Sequence, residues 1–279
     1  MRTEVKGEHC RQVFESLKDF IDHNASKDYR THRMRDEDER PEFYGGATTL
    51  DEALDMARNG MPREGIEALA IAAGQLSQIQ SQLQYQQFQS TWDVTGSDVD
   101  VARYLSGEPE CMIDYYTETN QRPERVVTLV IGTNVPWHVS AEAIKERGQK
   151  IVALIEAIEA TGATTEIWAD RTSNSAGSSS KTTRTSVRIK APGDFYDSGK
   201  VMFVFTHAAY NRCLGWNADH SLPREFQEAV GTGRYYGNNG DGHAWHPDYP
   251  KGATIIPPLK EDRDKFSVVD TLRKLGLLK

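Results

Sequence analysis

The stretch LVIGTNVPWHVS, Leu129–Ser140, decides the fold. With the residues before it, it forms the apolar run RVVTLVI (125–131), bounded by Pro123 and Gly132. So short a run of branched side chains predicts a strand covered on both faces. Ser140 follows as a helix cap, with Glu142 in the first turn, where the helix dipole favours an acid. Ile144, Ile151, Ile155 and Ile158 recur on one helical face, and Gly162 ends the helix. Gly148 shares that face, so a neighbouring element can come close to it. In α/β proteins ligands bind outside the carboxyl ends of strands, which makes 132–139 the first loop to inspect. It contains no acid, no lysine and no glycine-rich phosphate cradle.

Further strands are expected at TTEIWAD (164–170), TRTSVRIK (183–190) and KVMFVFT (200–206), with a last edge strand in GATIIPPL (252–259). The order predicts an α/β domain over 121–279, with a mostly parallel, doubly wound, Rossmann-like sheet and one antiparallel hairpin. A helical region with an irregular connector is expected over 1–120. Its first amphipathic stretch carries Val13, Leu17, Phe20 and Ile21. A second helix starts at a capping box, Thr49 with Glu52, buries Leu50, Ala53, Leu54 and Ala57, and stops at Asn59–Gly60 before Pro62. A third is expected from Arg63 to Gln89, with Ile66, Leu69, Ala73, Leu76, Ile79 and Leu83 as its apolar seam. The glutamine-rich remainder suits either packing within the chain or a homo-oligomer seam through 63–89. In the connector (91–116), Trp92, Val99, Val101, Tyr104 and Met112 are the expected core anchors.

The formal charge of −8 offers no general attraction to nucleic acid or an anionic membrane. No apolar run reaches the roughly 20 residues of a membrane span. The opening MRTEVKGEHCRQVF lacks an apolar signal core, so a cytoplasmic protein is expected. Cys10, Cys111 and Cys213 are odd in number and far apart, which favours reduced thiols.

The segment 125–207 resembles a von Willebrand factor A-like domain: an apolar strand, a loop, a long helix ending in glycine, TEIW, a hairpin, and an apolar segment ending in Thr206–His207. That family's metal-ion-dependent adhesion motif is D-x-S-x-S, and a later strand commonly ends in T-D. Laid on this chain, Gly132 stands for the aspartate, Asn134 and Pro136 for the serines, and His207 for the later aspartate. Both carboxylates are missing, so the resemblance implies a retired metal site with no cofactor. FYGGATTLDEALDMARNG (43–60) and the GEPE-M element at 107–112 resemble the amino-terminal region of a family of uncharacterised tailed-phage proteins. That resemblance implies a protein of the cytoplasm of an infected bacterial host and implies no activity.

The favoured expectation is a non-enzymatic binding protein. It engages a macromolecular partner, a protein first, through Asn134, Trp137, His138 and His207 at the strand ends. The alternative is a single-stranded-DNA-binding or transcription cofactor protein. It would use Lys181, Arg184, Arg188 and Lys190, which alternate with apolar residues along one strand, with Trp168 as a stacking base platform. A third is a metal-dependent hydrolase at His243 and His246, with Asp241 as a further ligand, although His-x-x-His in a loop lacks helical register. Arg30, Arg33 and Arg35 are offset by the acids at 36–39.

Overall fold

The computed structural model describes residues 1–26, 41–79, 88–117, 125–136, 138–175, 180–233, 238–239, 249, 251–263 and 266–278. The chain opens with the hairpin β1 (Arg2–Lys6) and β2 (His9–Phe14), then helices α1 (Leu17–Ser26), α2 (Leu50–Asn59) and α3 (Pro62–Ile79). A small unit follows, made of β3 (Phe88–Asp93), β4 (Asp98–Val99), α4 (Val101–Leu105) and β5 (Met112–Thr117). The remainder is β6 (Val126–Gly132), α5 (Ala141–Ala160), β7 (Thr164–Asn174), β8 (Thr182–Lys190), α6 (Ser198–Thr206), α7 (Trp216–Asp219), α8 (Arg224–Val230), β9 (Asn238–Asn239), β10 (Thr254–Ile256) and α9 (Val268–Lys274).

The protein is α/β, built on a mixed sheet of order β1-β2-β8-β7-β6-β10, with β9 added on β7. The pairs β2/β8, β6/β7 and β6/β10 are parallel; β1/β2, β7/β8 and β7/β9 are antiparallel. Side-chain alternation divides the two faces. Phe14, Val127, Leu129, Ile131, Ile167, Ala169 and Val187 point into the main core, beneath α1, α2, α5, α6 and α9. On the opposite face Val13, Val130, Trp168 and Tyr249 form a separate small cluster.

Several expectations change here. Among the described residues the helices that pack on this sheet lie on its Phe14, Leu129 and Val187 face, so the expected doubly wound arrangement is not found among them. The first fourteen residues are not part of a helical region, because β2 runs parallel to β8 inside the large sheet. KVMFVFT is helix α6, not a strand. A short, continuously apolar run fits a buried helix as well as a strand, and the decisive signal is Asp197, whose side chain accepts from Lys200 N at 3.0 Å as an N-cap. Thr206–His207 therefore ends a helix, which removes the strand-end position on which the later half of the adhesion motif was laid.

The second helix follows its sequence signals. Thr49 Oγ1 accepts from Glu52 N at 3.1 Å, while Glu52 turns back to Thr48 N at 2.7 Å, and Gly60 at φ 68° ends the helix. The third helix departs from them. It is described only to Ile79, residues 80–87 lie outside the described set, and Gln89 belongs to β3. Its buried stripe is Gly65, Ala68 and Ala72, with the expected Leu69 half-buried against the main core, whereas Ile66 and Ala73 point outward. Small residues let α3 approach the amino end of α6, where a Cβ on Gly65 would meet Ser198 Oγ at 2.9 Å.

Among the described glycines, Gly148 has the least room for a side chain. A Cβ there would overlap Thr206 Cγ2 and lie 3.2 Å from Phe205 C. In a free helix Gly→Ala gains up to about 1 kcal/mol. The overlap outweighs it, since overpacking costs about 1–3 kcal/mol. Gly148→Ala is expected to lower stability in urea unfolding. Adding Thr206→Ser, which deletes the methyl but keeps the hydroxyl on Met202 O, is expected to recover most of the loss.

Candidate functional site

Beside the carboxyl end of β6, Asp170 and Arg171 of β7 each anchor a buried charged cluster, one on either face of the sheet. Consecutive residues of a strand point to opposite sides, so Asp170 and Arg171 face apart. Asp170 accepts from Arg184 Nε at 2.6 Å and from the Tyr249 hydroxyl. Ser186 Oγ lies 3.1 Å from that hydroxyl and accepts from Arg11 Nε at 3.4 Å. The guanidinium carbons of Arg184 and Arg11 sit 4.2 and 5.2 Å from the Tyr249 ring centroid. Burial, then the adjacent Asp170 charge, pushes the Tyr249 phenol well above its ordinary range, so it remains a donor.

On the helical face Arg171 donates from Nη1 to Asp219 Oδ1 at 2.7 Å and from Nε to Asn211 Oδ1 at 2.8 Å. Asp219 and Asn211 come from α7 and the π-helical turn before it, Tyr210–Gly215. Gly215 makes room for the arginine stem, since a Cβ there would lie 2.9 Å from Arg171 Cδ. Burial raises the Asp219 carboxyl to about 6, against the opposing pull of Arg171.

The loop after β6 is pinned on several sides. Thr133 donates from N at 2.7 Å and from Oγ1 at 3.1 Å to Asp170 O. Arg212 bridges Pro136 O at 3.0 Å and Phe43 O at 2.8 Å. Ser140 N donates to Asp262 Oδ1 at 2.7 Å. Beneath the loop is a cavity of about 20 Å³, lined among others by Thr133, Arg147, His207, Asn211 and Arg212, room for little more than a water molecule.

Against this frame the expected partner residues separate. Asn134 is buried. His207 is half-buried and stacked on Phe203, its Nδ1 accepts from Ala209 N at 3.2 Å, and burial lowers its pKa. Trp137 lies outside the described residues, and His138 is exposed. Asp241, His243 and His246 also lie outside the described residues. Among the described residues no three His, Cys, Asp or Glu side chains gather as a metal site, and no helix is long and apolar enough to cross a membrane.

The basic strand is β8, but its cations do not share one open face. Arg184 is fully buried on Asp170. Arg188 lies 3.3 Å from Glu15, with its guanidinium carbon 5.7 Å from the Trp168 ring centroid. Trp168 is itself buried against Tyr249. A bulge opposite Ile167/Trp168 turns Lys190 to the helical side, where it meets Glu159 at 3.0 Å and Thr165 O. Lys181 also faces the helices and meets Glu225 at 2.8 Å. The alternation predicts one basic face; in the structure each of these four cations lies against a carboxylate, and they are divided between the two faces of the sheet.

Among the described residues, a group of exposed large apolar side chains lies in the arm 88–117, where β3, β5 and β4 form their own three-stranded sheet. The expected anchors are outside: Trp92 is 44%, Val99 47%, Val101 63% and Tyr104 65% exposed, joined by Val94 at 62% and Leu105 at 78%. Met112 alone of the expected anchors is half-buried. The arm carries Asp93, Asp98, Asp100, Glu108, Glu110 and Asp114 against the single cation Arg103. It is locally ordered: Asp100 accepts from Ala102 N, Arg103 N and Trp92 Nε1, and Arg103 lies 4.3 Å over the Trp92 ring. Those hydrogen bonds hold the Asp100 carboxyl below its ordinary range.

Compared with known proteins, the chain matches DUF7192, described as a domain of unknown function, over residues 2–279. No curated protein and no solved structure matches it.

Proposed function

The chain belongs to the DUF7192 family, and for it we propose a non-enzymatic binding role in which the arm 88–117 is the contact surface. The observation that carries this proposal is the arm itself. It is a preformed sheet whose large apolar residues are exposed while its own hydrogen bonds hold it in shape. Clustered exposed apolar side chains mark interaction surfaces, and a preformed surface loses little conformational entropy on binding. Six acids against one arginine select a partner face that is apolar at its centre and basic at its rim. The pinned loop at 133–136, with His138 exposed beyond it, is a second and smaller contact.

Affinity capture from the native host, after nuclease treatment, tests this with the wild type and with Trp92→Ala/Tyr104→Ala/Leu105→Ala. Loss of the dominant captured protein in the triple variant is the expected result. Recovery of an unchanged set, or capture abolished by nuclease alone, would count against it.

A further inference from the structure

The structure holds, on the same chain, a groove with the complementary chemistry. It lies beside β10, the last strand of the described sheet on that side, and is closed by α9; its volume is about 520 Å³. Its floor is apolar: Ile255, Pro257 and Pro258 come from β10 and its continuation, and Phe266 from the approach to α9. Arg147 is fixed there, donating to Pro257 O with its guanidinium carbon 5.6 Å from the Phe266 ring centroid. Around this floor stand Lys260, Arg263 and Lys274, against Glu261 and Asp270. Arg263 and Lys274 are exposed and make no ion pair among the described residues.

We infer that this groove receives the acidic arm 88–117 of a second copy of the chain. The inference rests on the proposal that the arm is a contact surface, and it names the partner. Two features of the structure favour a second copy. The arm has an excess of acid and the groove an excess of base, so each supplies what the other lacks. Each also carries exposed apolar side chains, Trp92 and Leu105 on the arm and Ile255 in the groove. The overall charge of −8 opposes association at long range. At physiological salt the Debye length is about 8 Å, so contact between the two local patches is decided by their own charges. If two copies exchange arms reciprocally the contact closes as a dimer; if each arm engages the next copy the contact propagates.

Sedimentation velocity of the full chain, over a broad concentration range at low and high salt, provides the test. The expected result is concentration-dependent association that weakens as salt rises. Two exposed charge reversals separate the surfaces: Asp98→Lys/Asp114→Lys on the arm and Arg263→Glu/Lys274→Glu in the groove. Each alone is expected to weaken self-association about tenfold or more. Mixed together they are expected to associate again, because the reversed arm of one now matches the reversed groove of the other. Circular dichroism of each variant confirms that it folds. A wild type that stays monomeric throughout, or association indifferent to both reversals, would overturn the inference. If the wild type is monomeric yet the triple arm variant still loses its captured partner, only the second copy is ruled out. If capture is also unchanged, the arm itself is not the contact surface.

Discussion

Arg184→Met is expected to cost the fold about 3–5 kcal/mol, the range for breaking a buried ion pair by removing one partner. Arg184 is fully buried and Asp170 nearly so, and the pair is locked further by Tyr249 and Ser186. Removing the guanidinium leaves the Asp170 carboxylate in a site with little water. The cost is therefore desolvation of an uncompensated charge more than the lost attraction. The double variant Arg184→Met/Asp170→Asn removes that charge while its amide oxygen still accepts from Tyr249. It should be more stable than Arg184→Met alone, a coupling that a urea-unfolding double-mutant cycle measures directly. If Arg184→Met unfolds with wild-type midpoint and slope, the cluster is not a structural element.

The second large effect is a dependence on pH. Burial raises the Asp219 carboxyl from 3.8 to about 6. Between those values the folded chain holds a proton that the unfolded chain has released. Asp219 therefore supports folding fully below about 4, and its contribution is lost as pH rises through about 6. The whole change corresponds to about 3 kcal/mol at 1.36 kcal/mol per pKa unit. Other carboxylates oppose this trend; Glu52, held low by the Thr48 hydrogen bonds, is one. The informative quantity is thus the stability of wild type minus that of Asp219→Asn. It should increase as pH falls from 7 to 4. A decrease over that window would mean that Arg171 holds Asp219 charged, in the manner of an ordinary buried salt bridge.

The elements legible in the sequence are those whose signals are local. The cap at Ser140, the capping box at Thr49, the stop at Gly60 and the strands β6 and β8 each follow from a few neighbouring residues. The misread ones depended on contacts across the chain. KVMFVFT has no period, and only Asp197 at its start separates helix from strand. The spacing of Ile66, Leu69, Ala73, Leu76, Ile79 and Leu83 predicts one seam, but close approach to α6 selects Gly65, Ala68 and Ala72 and leaves Ile66 outside. The β8 alternation correctly placed Arg184 and Arg188 on one face, yet burial of that face depends on Tyr249 and β2, which are remote in sequence.

The same holds for the candidate site. Asp170 and Arg171 stand as adjacent opposite charges directly after the apolar IWA of β7, and a charged pair inside a buried strand marks a buried ionic site. Arg11, Arg212 and Asp219 carried no comparable mark, because their partners lie on distant segments. The exposure of the arm is hidden in the sequence for a different reason. Aromatic and branched residues among turn formers fit core anchors and an exposed contact surface equally well, and only burial distinguishes them.

Hydrogen–deuterium exchange of the chain, alone and bound to its captured partner, tests the central claim most directly. The account predicts that slowed exchange concentrates in 88–117, centred on the strands around Trp92 and on Tyr104–Leu105. Protection confined to 133–139 or to 181–190, with the arm exchanging as it does in the unbound chain, would contradict it.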